Sequence, residues 1–358
     1  MKIALVTDTH WGARNDSLIF LEYFHRFYDN VFFPYLRENN ISTVIHLGDI
    51  VDRRKYINYN ILRALKDRFI LQLKSMDVAL HVIIGNHDVP FRNTNEVNSM
   101  RELFGGTGYP EFYDETTELD FDGCKILLVP WINNNNYQDT MTKIKGTQAQ
   151  VLFGHLEIDG FAMMPGIFHE GGLQKNLFKD FDVVASGHFH HRSSDNNIHY
   201  LGCPYEINWS DYNQQKGFHV FDTTTRELTF IQNPYKMFYK VWYDDEQTNY
   251  DDYLKDENRF DDYIDANIKV IVQNKNNPDW FDLFMDKLYK ANPSQVSIVD
   301  DHKNLDKATE EDIIDEAEDT MTILQNYVEG MDVDVDKKKL TGLLSSLYTE
   351  AINMDHHI

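Results

Sequence analysis

Short apolar runs rich in valine and isoleucine punctuate the first two-thirds of the chain, each closing on glycine or a polar residue. They occupy residues 3–7, 43–47, 80–84, 125–130, 151–154, 183–186 and 199–202. Longer segments of helical spacing separate them, and this alternation predicts an α/β fold. Between the first two runs, residues 18–36 place Phe20, Leu21, Phe24, Phe27, Tyr28 and Val31 on one helical face, and residues 57–73 repeat the pattern. Both segments are expected to be crossover helices. After Gly217 the pattern changes to alternating stretches at 217–221, 227–231, 239–243 and 267–272, without long helices between the first three. We therefore expect a core domain over residues 1–216 and a small β-rich accessory domain over 217–296. An acidic linker and two amphipathic helical patterns fill residues 297–358. The second pattern puts Leu340, Leu343, Leu344, Leu347 and Tyr348 on one stripe, which must pack either on a partner or back on the same chain.

With 358 residues, 42% of them hydrophobic, the chain has material for two or three modules. Nowhere do eighteen apolar residues run together, and Asp8 interrupts the N-terminal run too early for a secretory signal. A cytoplasmic protein without a membrane segment is the expectation. Cys124 and Cys203 lie in separate apolar stretches and read as buried thiols. A net charge of −24 argues against a broad basic surface for gripping phosphates. The charge is unevenly spread, however, because residues 241–358 hold 29 acidic against 11 basic residues. The first 240 residues carry only −6, and divalent cations bound to their acids would reverse the local field.

Five polar clusters stand at the ends of predicted strands: Asp8-Thr9-His10, Gly48-Asp49, Gly85-Asn86-His87-Asp88, Gly154-His155 and Gly187-His188-Phe189-His190. Residues just past the carboxyl ends of strands in an α/β sheet converge on one crevice. Asp-x-His or Gly-Asp alone is more often a turn or a helix cap than a ligand pair, whereas a turn explains only two of the four residues of Gly85-Asn86-His87-Asp88. Together they offer carboxylate, amide and imidazole donors, a set that suits two borderline divalent ions such as Mn²⁺, Fe²⁺ or Zn²⁺. By contrast His46, His81, His199 and His219 lie inside predicted strands, and we read them as core or surface residues.

The ordered pattern D-x-H, G-D, G-N-H-D, G-H and G-H-x-H resembles the calcineurin-like metallophosphoesterase superfamily over about residues 1–205. That resemblance implies a two-sheet α/β sandwich core. It also implies one ion on Asp8, His10, Asp49 and His190, and a second on Asp49, Asn86, His155 and His188, with Asp49 bridging. Mn²⁺ is the expected metal, with Mg²⁺ or Fe²⁺ as alternatives. His87 is implied to contact the substrate phosphate and help protonate the leaving 3′-oxygen, and Asp88 to orient its ring.

Within the superfamily, several local features resemble the SbcD-type (meiotic-recombination-eleven) nucleases. These are Gly48-Asp49-Ile50-Val51-Asp52 followed by Arg53-Arg54-Lys55, the step from His155 to Gly160, and Tyr200-Leu201-Gly202-Cys203-Pro204. The order of core, accessory domain and acidic helical tail is similar to that of the small nuclease subunits of T4-type phage recombination endonucleases. The resemblance implies a DNA nuclease for recombination and repair, with 3′-to-5′ exonuclease and single-strand endonuclease activity. It further implies an accessory domain that caps DNA, homodimerisation through helices near 56–67 and 93–104, and a C-terminal tail bound to an SbcC-type coiled-coil ATPase. A small-molecule nucleotide phosphodiesterase or phosphatase is the alternative, since the ligand set alone does not choose a substrate. One departure concerns Val51 and Asp52, which stand where cellular relatives often carry a second functional histidine. Arg53 and Arg54 read either as charge at the crevice rim or as a solvated loop, and Trp11 and Arg14 are similarly open between DNA contact and structure.

Overall fold

The computed structural model describes residues 1–164 and 167–300 and, beyond them, Leu340 alone. In chain order the strands are β1 (Lys2–Val6), β2 (Thr43–His46), β3 (Ala79–Ile83), β4 (Glu111–Tyr113), β5 (Thr117–Phe121), β6 (Cys124–Val129) and β7 (Val151–His155). They continue with the β8–β9 hairpin (Ala162–Met164, Ile167–Phe168), β10 (Val183–Gly187), β11 (Ser193–Asp195), β12 (Ile198–Tyr200), β13 (Gly217–Asp222) and β14 (Leu228–Gln232). Last come β15 (Phe238–Asp244), β16 (Asn267–Asn274) and β17 (Gln295–Asp300).

Two six-stranded sheets, ordered β14-β13-β1-β2-β3-β4 and β11-β12-β10-β7-β6-β5, pack face to face. The period of two along each strand explains the sandwich. Ile3, Leu5, Ile45, Leu47 and Ile83 of the first sheet meet Ile126, Leu128, Val151, Phe153 and Ala185 of the second in one buried cluster. The intervening Ala4, Val6, Val44, Leu80 and Val82 face outward onto helix residues such as Phe24, Phe27, Leu65 and Phe69. On the second sheet Leu127, Val129, Leu152 and Val184 pack with Met141 and Ile144. Burial on both faces is why these strands read as continuous apolar runs. Each fully buried aliphatic or phenyl group contributes roughly 1.5–3 kcal/mol of transfer free energy to that packing.

Parallel pairing of β1 with β2 and of β2 with β3 needs crossovers, and the two predicted helical segments supply them. The first runs from Leu18–Phe27 through a π-helical stretch, Tyr28–Phe32, into Phe33–Glu38. Ser17 caps its start, accepting from the Phe20 backbone N–H. The second runs Tyr59–Ala64, Leu65–Ile70 and Leu71–Ser75. These crossovers bring the carboxyl ends of β1, β2 and β3 to one edge, and β7 and β10, also parallel to each other, do the same in the second sheet.

The accessory unit departs from its expected boundary. Stretches 217–221 and 227–231 do not open it, because β13 pairs antiparallel with β1 and with β14, which completes the first sheet. Burial decides their place: Phe218 and Val220 join the outer cluster and Phe221 the inner one, so β13 has apolar work on both faces. What remains is a three-stranded parallel sheet, β15-β16-β17. A helix, Pro278–Lys290, makes its second crossover, opened by Asn277, which accepts from the Trp280 N–H, and by Pro278 in the first turn. Leu343, Leu344, Leu347 and Tyr348 lie outside the described residues, and Leu340 is the one described member of the tail stripe.

Candidate metal centre

The five polar clusters converge where the strand ends predict. Asp8 and His10 follow β1, Asp49 follows β2, and Asn86, His87 and Asp88 follow β3. His155 closes β7, and His188 and His190 follow β10. Asp8, His10, Asp49 and His188 all adopt positive φ, between 42° and 88°. Such values are uncommon for residues other than glycine and concentrate where a site over-determines the backbone. Glycines permit the crowding around them. A β-carbon on Gly85 would strike the Asp49 backbone and carboxylate, and one on Gly187 would strike Thr7 and come within 3.0 Å of Asp8 Oδ2.

Two donor groups result. Asp8, His10 and His190 form one and Asp49, His155 and His188 the other, each with its ligand atoms within 4.8 Å of one another. In the first, His10 Nε2 lies 3.0 Å from His190 Nε2. In the second, Asn86 Oδ1 lies 2.8 Å from His155 Nε2 and 3.0 Å from His188 Nδ1, and His155 Nε2 lies 3.3 Å from Asp49 Oδ2. Separations near 3 Å are what adjacent ligands on an ion with bonds of about 2.1 Å require. The Asn86 amide can serve the site with or without a cation. With its nitrogen turned inward it would donate to His155, His188 and Asp49 and accept from Arg54 at 3.1 Å. With its oxygen inward, lone pairs converge on one point and only a positive charge satisfies them.

The outer nitrogens of His155 and His188 are occupied. His155 Nδ1–H donates to the Leu47 carbonyl at 2.8 Å, because a carbonyl can only accept. His188 Nε2 faces Glu157 Oε1 at 3.1 Å, whereas His10 Nδ1 lies 3.4 Å from Asp52 Oδ1 without a formed hydrogen bond. On His155 and His188 these contacts seat a proton on the outer nitrogen, as in metal-binding histidines whose rings are held by a carboxylate or carbonyl, so that the inward nitrogen is the one a cation would take. Asp52 and Glu157 are not among the site residues expected from sequence. The signals are present there: Asp52 stands at the position that departs from the cellular histidine, and Glu157 is two residues past His155.

Electrostatics follow from packing so many charges in a dry crevice. Burial opposes charge on His155, yet the carboxylates of Asp49 and Asp8 outweigh it and push the imidazole up to about 9. His10 also rises to about 9 against its burial, driven by Asp52, Asp49 and Asp8. His190 moves the other way, held well down by burial and then by the neighbouring His10. Asp49 stays ionised despite burial because His155, His87 and His10 surround it.

His87 sits edge-on to His10, ring centroids 4.8 Å apart, and donates Nδ1–H to the Asp52 carbonyl at 2.5 Å. Asp88 does not touch that ring, contrary to the expected orienting role. Its Oδ2 accepts from the Gly85 and Asp49 backbone N–H groups at 2.9 and 2.8 Å. Its Oδ1 accepts from Ile50 at 3.1 Å, Val51 at 3.3 Å and the Ser99 hydroxyl at 3.1 Å. A carboxylate surrounded by backbone donors shapes a loop, and this loop carries Asp49. Burial and the adjacent Asp49 charge push Asp88 up to about 6.

Of the four residues left open for DNA, one reaches the centre. Arg54 has a guanidinium nitrogen 3.1 Å from the Asn86 side chain. Arg53 turns away to Asp16 at 2.8 Å, and Arg14 is exposed beside the Phe20 ring. Trp11 is 1% exposed and stacks on Tyr28 at 5.5 Å, so it belongs to the core under the site and not to its rim. The bulk of its indole wins burial behind the loop.

Residues 1–192 match the family profile of the calcineurin-like phosphoesterases. The chain is 30% identical over 322 residues to exonuclease subunit 1 of Enterobacteria phage T4, a match spanning 88% of this chain and 90% of that protein. It is 26% identical over 247 residues to the DNA double-strand break repair protein Mre11 of Thermoplasma acidophilum, covering 62% of each. With the SbcD component of the nuclease SbcCD from Staphylococcus epidermidis it shares 24% identity over 260 residues, 64% of this chain and 69% of that one. Among the described residues, no helix is long and apolar enough to cross a membrane.

Proposed function

From a chain that belongs to the calcineurin-like phosphoesterase family, in the branch of the SbcD and Mre11 nucleases, we propose a two-metal hydrolase that cuts the phosphodiester bonds of DNA. Divalent metal binding follows from the family, and the donor set fits it. The observation that carries the reading is the occupied outer nitrogen of His155 and His188, which aims their inward nitrogens at Asn86 and Asp49. Asp8, His10, Asp49 and His190 would hold one ion and Asp49, Asn86, His155 and His188 the other. Two bound divalent ions, Mn²⁺ in first place, supply an activated water and neutralise charge gathering on the phosphoryl oxygens.

This chain's own residues do the positioning. Asp88 fixes the backbone of 49–51 and so aims Asp49. His87, with Nδ1–H committed to the Asp52 carbonyl, presents Nε2 beside the first ion's ligands, where it meets substrate phosphate or the leaving 3′-oxygen. Arg54 adds a fixed positive charge at the same mouth. We further read the protein as a cytoplasmic 3′-to-5′ exonuclease and single-strand endonuclease of recombination and repair. On this reading it acts as a homodimer, with the 238–300 unit capping DNA and the tail stripe held by an SbcC-type ATPase. The local field from −24 charges disfavours DNA, so ions and a basic partner supply the attraction.

The test is release of labelled nucleotides from linear duplex and single-stranded DNA with Mn²⁺ or Mg²⁺, comparing wild type with Asp49→Ala. Metal-dependent cleavage lost in the variant supports both site and substrate. Turnover confined to free nucleotides moves the same site to the small-molecule branch.

A further inference from the structure

The inner core of the sandwich does not extend apolar to both edges. At the edge where β11 and β14 are the outermost strands of their sheets, a groove of about 400 Å³ opens, lined by Arg192, Ser194, His199, His219, Arg226 and Phe230 among others. Register shows which faces meet there. His219 pairs with Leu5, and His199 pairs with Ala185; Leu5 and Ala185 both belong to the inner cluster, so both imidazoles point between the sheets. Positions that would carry core side chains carry imidazoles instead.

Their hydrogen bonding is incomplete in one sense only, that of donors lacking an anion. Arg192 is half-buried, stacks 3.9 Å over the Phe230 ring and donates to Gln215 at 2.9 Å, but makes no ion pair among the described residues. His219 is 6% exposed and its Nδ1 has no partner. Beside it, His199 Nδ1 shares a contact with the Ser194 hydroxyl at 2.9 Å. Arg226 reaches the groove's far end but is already engaged, by Asp182 at 3.7 Å, by Gln150 at 3.3 Å and by the Thr223 carbonyl. No carboxylate lines the groove, in a chain with 58 acidic and 34 basic residues. A half-buried guanidinium without a counter-charge leaves an anion-attracting field in the groove, and a planar guanidinium beside imidazole and hydroxyl donors suits a tetrahedral oxyanion.

We propose that this groove is a phosphate-binding site, taking the phosphate of a mononucleotide or of a DNA strand that runs along the β11–β14 edge. Its lining comes from strands on the open edge of the sandwich and includes no residue of the metal centre, so it stands or falls apart from the two-metal reading. Arg192 supplies the fork, His219 Nδ1 and the Ser194 hydroxyl supply further donors, and Phe230 holds the guanidinium plane in place.

The test uses the full chain with EDTA, so that divalent ions contribute nothing, titrated calorimetrically with inorganic phosphate, with dAMP and with a single-stranded oligonucleotide lacking terminal phosphates. Saturable binding is expected in wild type, weakened about tenfold or more by Arg192→Gln and partly by Arg192→Lys, which keeps charge but loses the fork. His219→Asn is the second variant, and phosphate should raise the unfolding temperature of wild type while leaving Arg192→Gln unmoved. Binding of dAMP that competes with phosphate assigns a mononucleotide, and oligonucleotide binding sensitive to Arg192→Gln assigns a strand. Equal binding by wild type and both variants, or no saturable binding of any probe, overturns the proposal.

Discussion

Replacing Asp88 by asparagine separates two roles for that carboxylate. If Asp88 served to orient His87, Asp88→Asn would leave folding intact and change only the pH dependence of cleavage. The geometry predicts otherwise, because every partner of Asp88 is a donor: Gly85 and Asp49 N–H on Oδ2, and Ile50 N–H, Val51 N–H and the Ser99 hydroxyl on Oδ1. Whichever way the asparagine amide faces, its NH₂ meets two backbone N–H groups that lose their acceptor. Ser99 can turn to accept, but a peptide N–H cannot. At about 1–3 kcal/mol for each buried donor left unmade, the substitution removes roughly 2–6 kcal/mol. That is a large part of the roughly 5–15 kcal/mol typical of a folded domain. Urea unfolding of the metal-free protein, with Ser99→Ala as a one-bond control, measures the loss. Mn²⁺ affinity should fall with it, since the loop released is the one that carries Asp49. A stability change below about 0.5 kcal/mol, with metal binding intact and a shifted pH profile, would refute the loop-shaping role.

Other substitutions test neighbouring contacts. Glu157→Gln and Asp52→Asn should each weaken Mn²⁺ binding about 10–100-fold in calorimetry, and unchanged affinity in both would show that the outer contacts do not support the ions. Trp11→Ala should lower stability by about 3–5 kcal/mol without altering DNA affinity of the folded protein, and the reverse outcome would return Trp11 to the DNA face. Glu206 is 1% exposed, accepts from Met237 and Phe238 N–H at 2.6 and 2.9 Å, and is raised by burial from 4.5 to about 7. A folded value above the unfolded one favours folding below pH 4.5 and loses that contribution as pH rises through 7. Glu206→Gln should therefore gain on wild type by on the order of 3 kcal/mol between pH 4.5 and 7.5, and a flat difference would show that the carboxylate is not strained by its burial.

What is legible in the sequence is whatever depends on strand ends. The apolar runs predict β1, β2, β3, β6, β7, β10 and β12, and residues past their carboxyl ends meet because parallel strands share an edge. Edge strands are harder: β4 and β11 have three residues each, too few to show a period. The expected boundary at 217 is misplaced because alternation in β13 and β14 says "antiparallel" without saying which sheet they join. Only the partner, β1, decides that. Asp88 misleads for a similar reason. Adjacency in Gly85-Asn86-His87-Asp88 suggests a side-chain pair, but successive residues in a tight turn point apart, and Asp88 finds the next loop instead.

The outer residues also explain how a strained crevice persists. Left-handed backbone at Asp8, His10, Asp49 and His188 costs on the order of 1 kcal/mol at each position. Both Asp8 oxygens accept from the His188 N–H at 3.1 Å, tying β1's loop to β10's, and Asp88 ties β3's turn to β2's loop. His155 ties the second sheet to the first through the Leu47 carbonyl. Each ligand-bearing turn is thus held by a hydrogen bond from another, so no turn can relax without loosening its neighbour. Bound cations would add a further bond to most members of this ring, because carboxylates and imidazoles that crowd one another without metal become co-ligands with it. Metal binding and folding of the crevice should therefore be one cooperative event, in which Asp49, linked to Asp88, His155 and His87, is the member most others depend on.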